Sequence, residues 1–133
     1  MGLLKQWVVG FVVFVLVDMV WLGLVAGGFY RRELGDLLRQ EGGALNPRLA
    51  PAALLYALVV LGLALFALPK ATTGSVLAVA AWSALFGVIG YGVYDLTNYS
   101  TLEGFPLTVV VVDMAWGGVV CGLTGAAMSL VRG

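Results

Sequence analysis

Histidine is absent from these 133 residues, cysteine occurs once, and only 11% of positions are charged. Without histidine there is no imidazole to serve as base, proton switch or metal ligand. A single thiol, Cys121, excludes an intramolecular disulfide and leaves the redox compartment open. Soluble domains carry about 25% charged residues. Less than half that share excludes a disordered segment and an ordinary water-soluble enzyme. Seven basic and seven acidic side chains cancel, so no basic surface is available to nucleic acid. What is abundant is apolar: 62% of the chain. Lipid is the partner that accounts for it.

Four stretches are long enough to cross a bilayer: residues 8–29, broken only by Asp18; 49–68; 75–94; and 107–131, which contains only Asp113. A hydrocarbon core needs roughly 20 helical residues, and backbone satisfaction in lipid demands helices where strand alternation is missing. The second run is entered through Pro51, whose missing N–H is tolerated near a helix start. The sequence therefore predicts an all-α integral membrane protein, residues 1–133 forming one compact bundle of four transmembrane helices. A cleaved signal peptide is the competing reading of the first run. That run is too long, holds Asp18 and lacks a small-x-small cleavage site. Even helix number puts both termini on one side. Lys5, Lys70 and Arg132 there, against Arg31, Arg32, Arg39 and Arg48 opposite, leave the orientation open.

The connections differ in character. Residues 30–41 place Leu34, Leu37 and Leu38 on one face, and Gly42, Gly43 and Asn46-Pro47 end the segment. A short amphipathic helix lying along the interface is expected. A solvated helix held by Arg32 and Asp36 at four-residue spacing is the plainer alternative. Leu68-Pro69-Lys70 to Gly74 reads as a tight turn. Residues 95–106 form a polar loop without a basic residue, in which Glu103 is read as solvated.

Two segments match at an offset of 95 residues. Val17-Asp18-Met19-Val20-Trp21-Leu22-Gly23 continues to Gly27, and Val112-Asp113-Met114-Ala115-Trp116-Gly117-Gly118 continues to Gly122. The first and fourth helices run oppositely, so a true repeat would be inverted, a construction that often places sites near the midplane. Asp and Trp three residues apart share a helix face. Gly23, Gly27, Gly87, Gly118 and Gly122 read as small-residue packing surfaces; packing within the bundle is preferred to homodimerisation.

The aspartates carry the functional argument. A carboxylate at mid-bilayer costs about 2.5–3.5 kcal/mol and faces a bundle interior or wet cavity. Asp18 lies about 15 Å into its run and Asp113 about 9 Å into its own, at 1.5 Å per residue. Asp95 closes the third run on the side where the fourth begins. A site is expected where Asp95, Asn98 and Asp113 meet, with Asp18 deeper and Trp21 and Trp116 alongside. Tyr91, Tyr94 and Asn98 follow Gly87 at helical spacing, and Thr97 sits in the same polar block. Alternative readings are an aromatic belt for the tyrosines, a loop cap for Asp95, and register-fixing bonds from Asp18 and Asp113 to an indole, a phenol or Ser83. Cys121 reads as a packing residue, and Lys5, Trp7 and Trp82 as interface or packing residues.

At these residues the chain resembles domain-of-unknown-function family 2177, a family of predicted bacterial membrane proteins. The likeness is carried by Asp18-Met19-Val20-Trp21-Leu22-Gly23, Tyr30 with Leu34-Gly35, the Ala-rich second helix, Gly87 with the block Tyr91 to Asn98, and Asp113-Met114-Ala115-Trp116-Gly117. It covers nearly the whole chain and implies a four-helix protein of a bacterial cytoplasmic membrane, with no established activity.

Three functions are compatible with the residues. The first is handling of a small solute, proton or cation by the intramembrane acids, with a homodimer as one way to enclose a pathway. The second is an enzyme or binder for a lipid-like ligand, using Asp and Tyr as acid–base groups. The third is an accessory subunit without chemistry. No cofactor motif is legible and no metal site is assigned. Carboxylates and amides alone would suit Mg²⁺ or Ca²⁺ rather than zinc.

Overall fold

The first apolar run folds as α1 (Gly2–Val20), which begins well before Val8 and continues as a single π-helical stretch, Trp21–Val25. The break comes at Ala26, whose N–H bonds back to the Trp21 carbonyl at 2.7 Å. A π-turn inserts one residue per turn and re-aims the chain beyond it. The chain then re-enters as α2 (Gly27–Leu34). The fold-back is so tight that a Cβ on Gly27 would lie 2.4 Å from the Leu22 carbonyl oxygen. Only glycine fits there.

A computed structural model of the chain describes residues 2–41, 44–45, 47–72 and 75–131. α2 ends seven residues short of the expected amphipathic segment. Gly35 takes φ +52° and the chain passes through a 3₁₀ turn, Gly35–Leu37, so Arg32 and Asp36 are not held at helical spacing. Beyond it β1 (Gln40–Glu41) pairs antiparallel with β2 (Ala44–Leu45). The expected stops at Gly42, Gly43 and Asn46, the turn's end at Gly74 and the charge of Arg132 fall outside the described residues.

Next come α3 (Leu49–Gly62), with Pro51 in its first turn, and a π-turn, Leu63–Ala67. A 3₁₀ turn, Leu68–Lys70, carries Pro69 and ends the run. α4 (Val76–Thr101) starts at Ser75, whose hydroxyl accepts the Ala78 N–H. It outlasts the expected end at Tyr94 by seven residues. The reason lies in its hydroxyls: Thr97 donates to the Val93 carbonyl at 2.6 Å, and Ser100 and Thr101 to that of Thr97. Polar side chains that would otherwise break a helix are absorbed by it. Gly104 at φ +80° turns the chain into α5 (Leu107–Ser129).

Among the described residues four helices are long and apolar enough to cross a membrane: Gly2–Val25, Leu49–Lys70, Val76–Thr101 and Leu107–Ser129. Their core is built from Phe14, Val60, Leu63, Val79, Val120 and Met128. α1 meets α3 and α5 at Gly10, where a Cβ would lie 2.6 Å from the Met128 sulfur and 2.7 Å from Val60. Trp7 adds a bond from its indole to the Ala57 carbonyl, 3.1 Å. The outer faces stay apolar and exposed, as Leu24, Leu58, Leu77 and Val93 show, which suits lipid as surrounding medium. Lys70 sits 5.4 Å over the Trp82 ring.

Candidate functional site

Asp18 is buried on α1 and fully engaged. Tyr56 of α3 donates its hydroxyl to Oδ2 at 2.6 Å, and Trp116 of α5 donates its indole N–H to Oδ1 at 3.0 Å. Two donors from two other helices satisfy the carboxylate where water is scarce. The expectation that Asp18 opens on a shared chamber gives way to a three-helix knot.

Asp113 is met differently. Tyr30 of α2 donates its hydroxyl to Oδ1, and Trp21 donates its indole N–H to the Tyr30 oxygen at 3.1 Å. α2 is clipped to the start of α5 a second time by the Thr108 hydroxyl on Glu33. Trp21 and Trp116 stack with ring centroids 4.3 Å apart and planes within 7°. The pairing is crossed: Trp116 donates directly to the acid of the other segment, and Trp21 reaches the other segment's acid through the Tyr30 hydroxyl.

Burial, reinforced by the bond to Asp113, pushes the Tyr30 phenol well above its ordinary value of 10.0. An unfolded phenol ionises near pH 10 while the folded one resists, so this contribution to stability is complete below pH about 10 and is lost as pH rises further. Trp21 emission followed through an alkaline titration is expected to change only above that point. The Tyr30→Phe protein should show no such step; a step that survives the substitution assigns it elsewhere.

Asp95 is the exception. It lies inside α4 rather than in a loop, and its side chain is 0% exposed. Neither carboxyl oxygen has a hydrogen-bond partner among the described residues. The Asp113 carboxyl is its neighbour across the α4–α5 contact, one turn beyond the rung where Tyr91 lies on Gly117, and a carboxylate offers it no donor. An enclosed acid without a donor is costly to keep.

The remaining expected residues divide. Tyr91 packs its ring on Gly117, 2.6 Å from where a Cβ would stand. Tyr94 is 66% exposed on the outer face. Thr97 is exposed and tied to its own helix, and Asn98 is half-buried beyond it. Thus Asp95, Asp113, Tyr91, Trp21 and Trp116 gather, whereas Tyr94 and Thr97 do not join them.

Among the glycines, Gly87, Gly118 and Gly122 carry the α4–α5 approach, the last two against Val88 and against Ala80 and Ala84. Gly23 has nothing within 4 Å and packs on no helix; Gly27 serves the local fold-back instead. Tyr30 and Tyr56 were not among the expected site residues. Beyond Tyr30's place among the residues that carry the family likeness, their signal is a phenol at a helix end or on an otherwise apolar face.

A surface groove of about 500 Å³ runs along α4 and α5. Its lining includes Val88, Ile89, Val93, Leu96 and Met114, and none of the three aspartates. A second groove lies by Leu3, Leu4, Trp7 and Leu58. Both are apolar outer surfaces, and a lipid chain on either would meet no acid–base group. Among the described residues no three or more acidic, cysteine or histidine side chains converge as a metal site.

No curated protein and no solved structure matches the chain. A family model does, over residues 3–130, and by that match the protein belongs to the family described as predicted membrane protein DUF2177.

Proposed function

We propose that this membrane protein handles protons, holding one exchangeable proton on the Asp95–Asp113 pair inside the membrane. The observation that carries the reading is Asp95: wholly enclosed, without a hydrogen-bond donor, and beside a second carboxyl. Two full negative charges side by side in an enclosed site would repel strongly, so such a pair shares a proton. Tyr30 already donates to Asp113, which leaves Asp95 as the carboxyl of the pair without a donor among the described residues. Intramembrane acids of this kind mark proton relays. The crossed tryptophans support reading the two Val-Asp-Met segments as inverted halves around this site. α2 fits a helix along the membrane surface whose tyrosine covers Asp113.

The test is proton uptake into liposomes containing the reconstituted protein, driven by a potassium diffusion potential and read with an internal pH dye. Asp95→Asn, which keeps the shape and removes the ionisable proton, is expected to lower uptake by about tenfold or more. Asp18→Asn should stay active, because Asp18 is spent on Tyr56 and Trp116. Wild-type liposomes that take up no protons, or an Asp95→Asn protein as active as wild type, would remove the reading.

A further inference from the structure

α2 adheres to the bundle through contacts of its own. Ala26, Tyr30 and Val109 are buried together there, with Trp21, Phe29, Leu34 and Phe105 packed around them. None of these belongs to the cluster of Phe14, Val60, Leu63, Val79, Val120 and Met128 that joins the four spans. A small satellite cluster of this kind can open while the main core stays closed.

Two side-chain bonds tie α2 to the start of α5: Tyr30 to Asp113, and Thr108 to Glu33. Tyr30 and Glu33 stand three residues apart, so both leave one side of α2. The chain on either side of these latches is built to bend. Before them come the π-turn Trp21–Val25 and the pair Gly27-Gly28; after them Gly35 takes φ +52° and enters a 3₁₀ turn. Hinges are drawn from such element ends, where a few residues absorb a change of backbone angle.

What lies beneath gives the bend a use. Asp95 precedes the end of α4 by six residues, and Asp113 follows the start of α5 by six. Both acids therefore lie about 9 Å in from the end of the bundle on which α2 rests, at 1.5 Å per residue.

We propose that α2 is a hinged lid over the Asp95–Asp113 pair, swinging on Trp21–Gly28 and latched shut by Tyr30 and Glu33. An enclosed pair trades its proton with water only when something uncovers it. α2 can leave without disturbing the core that joins the spans. When the latches part, Tyr30 withdraws from Asp113 and the pair meets water from that side of the membrane. The lid stands on its own contacts; its control of proton exchange rests on the proton reading above.

The two parts separate experimentally. Val109 is 1% exposed in the cluster at α2, and Val109→Cys, which changes little volume, puts a reporter thiol there. The native Cys121, 0% exposed in the main core, is the control within the same chain, because unfolding would expose both. In detergent micelles a water-soluble maleimide should modify the thiol at position 109 about tenfold faster than Cys121. Glu33→Ala removes one latch while favouring helix in α2, and should speed that reaction about threefold. Tyr30→Phe should speed it about tenfold, with Cys121 unchanged in both. For control of the site, Glu33→Cys/Thr108→Cys is bridged by a short bis-methanethiosulfonate that dithiothreitol removes. Proton uptake into liposomes should fall about tenfold on bridging and return on reduction. Native protein treated alike should keep its uptake. A thiol at position 109 modified no faster than Cys121, or at a rate neither latch variant changes, overturns the lid. Bridged protein with full uptake overturns its control of the pair. A lid that opens as expected, on a native protein that moves no protons, sinks the proton reading and upholds the lid.

Discussion

Alanine at position 87 is expected to wedge α4 from α5 and to cost about 3 kcal/mol of stability or more. The added methyl would stand 2.0 Å from the Gly117 carbonyl oxygen and 2.7 Å from the Cys121 Cβ. A flexible side chain could swing aside; a helix backbone cannot. Relief requires the two helices to separate along their whole contact, and in lipid the association of helices depends on such close packing. Gly90 provides the control on the same helix. A Cβ there meets nothing within 4 Å, so Gly90→Ala should be neutral or gain up to about 1 kcal/mol from helix propensity. Unfolding by sodium dodecyl sulfate in mixed micelles, followed by tryptophan fluorescence, measures both. A Gly87→Ala protein with the wild-type midpoint would refute the close approach on which the α4–α5 seam depends.

Removal of the Trp116 side chain should be as damaging. Trp116→Ala deletes the stack on Trp21 and the indole donor to Asp18, and truncations of packed aromatics cost about 3–5 kcal/mol. Trp116→Phe separates the contributions. A phenyl ring preserves part of the stack but leaves Asp18 Oδ1 without a donor, at a cost of about 1–3 kcal/mol. A cycle combining Trp21→Ala with Trp116→Ala should show coupling of about 0.5–1.5 kcal/mol, the scale of an aromatic pair. Additive losses in that cycle would mean that the rings do not support one another. The same unfolding titration serves here, with Trp7 and Trp82 left as reporters.

The four membrane spans were legible because run length and absence of charge are local properties of a sequence. Their ends were less so. α1 starts at Gly2 because Lys5 and Gln6 are tolerated in its first turns, and α4 passes Asp95 because Thr97, Ser100 and Thr101 turn their hydroxyls onto its own carbonyls. Run position placed Asp18 and Asp113 within their spans, whereas Asp95, expected where a polar loop begins, is buried inside α4. What pattern could not supply was partnership. Asp18 was expected to share a chamber, but Tyr56 lies 38 residues away in the chain and Trp116 98 away. Tyr94 and Asp95 are neighbours in a polar block, yet the 100° between successive helical residues sends one outward and the other against α5. Spacing shows which residues share a face, and only the assembled bundle shows which face is inside.

The crossed tryptophans also bear on how the protein is made. Chains fold from the N-terminal side as they are synthesised, so Asp18 enters the bilayer before either of its donors. Tyr56 arrives first, and the indole of Trp116 joins only when the fourth span leaves the ribosome. Until then the earliest span holds a half-satisfied acid and Trp21 lacks its stacking mate. Closure of the aromatic stack is therefore a late event of biogenesis, and a nascent chain halted before α5 should remain open and exposed to membrane quality control.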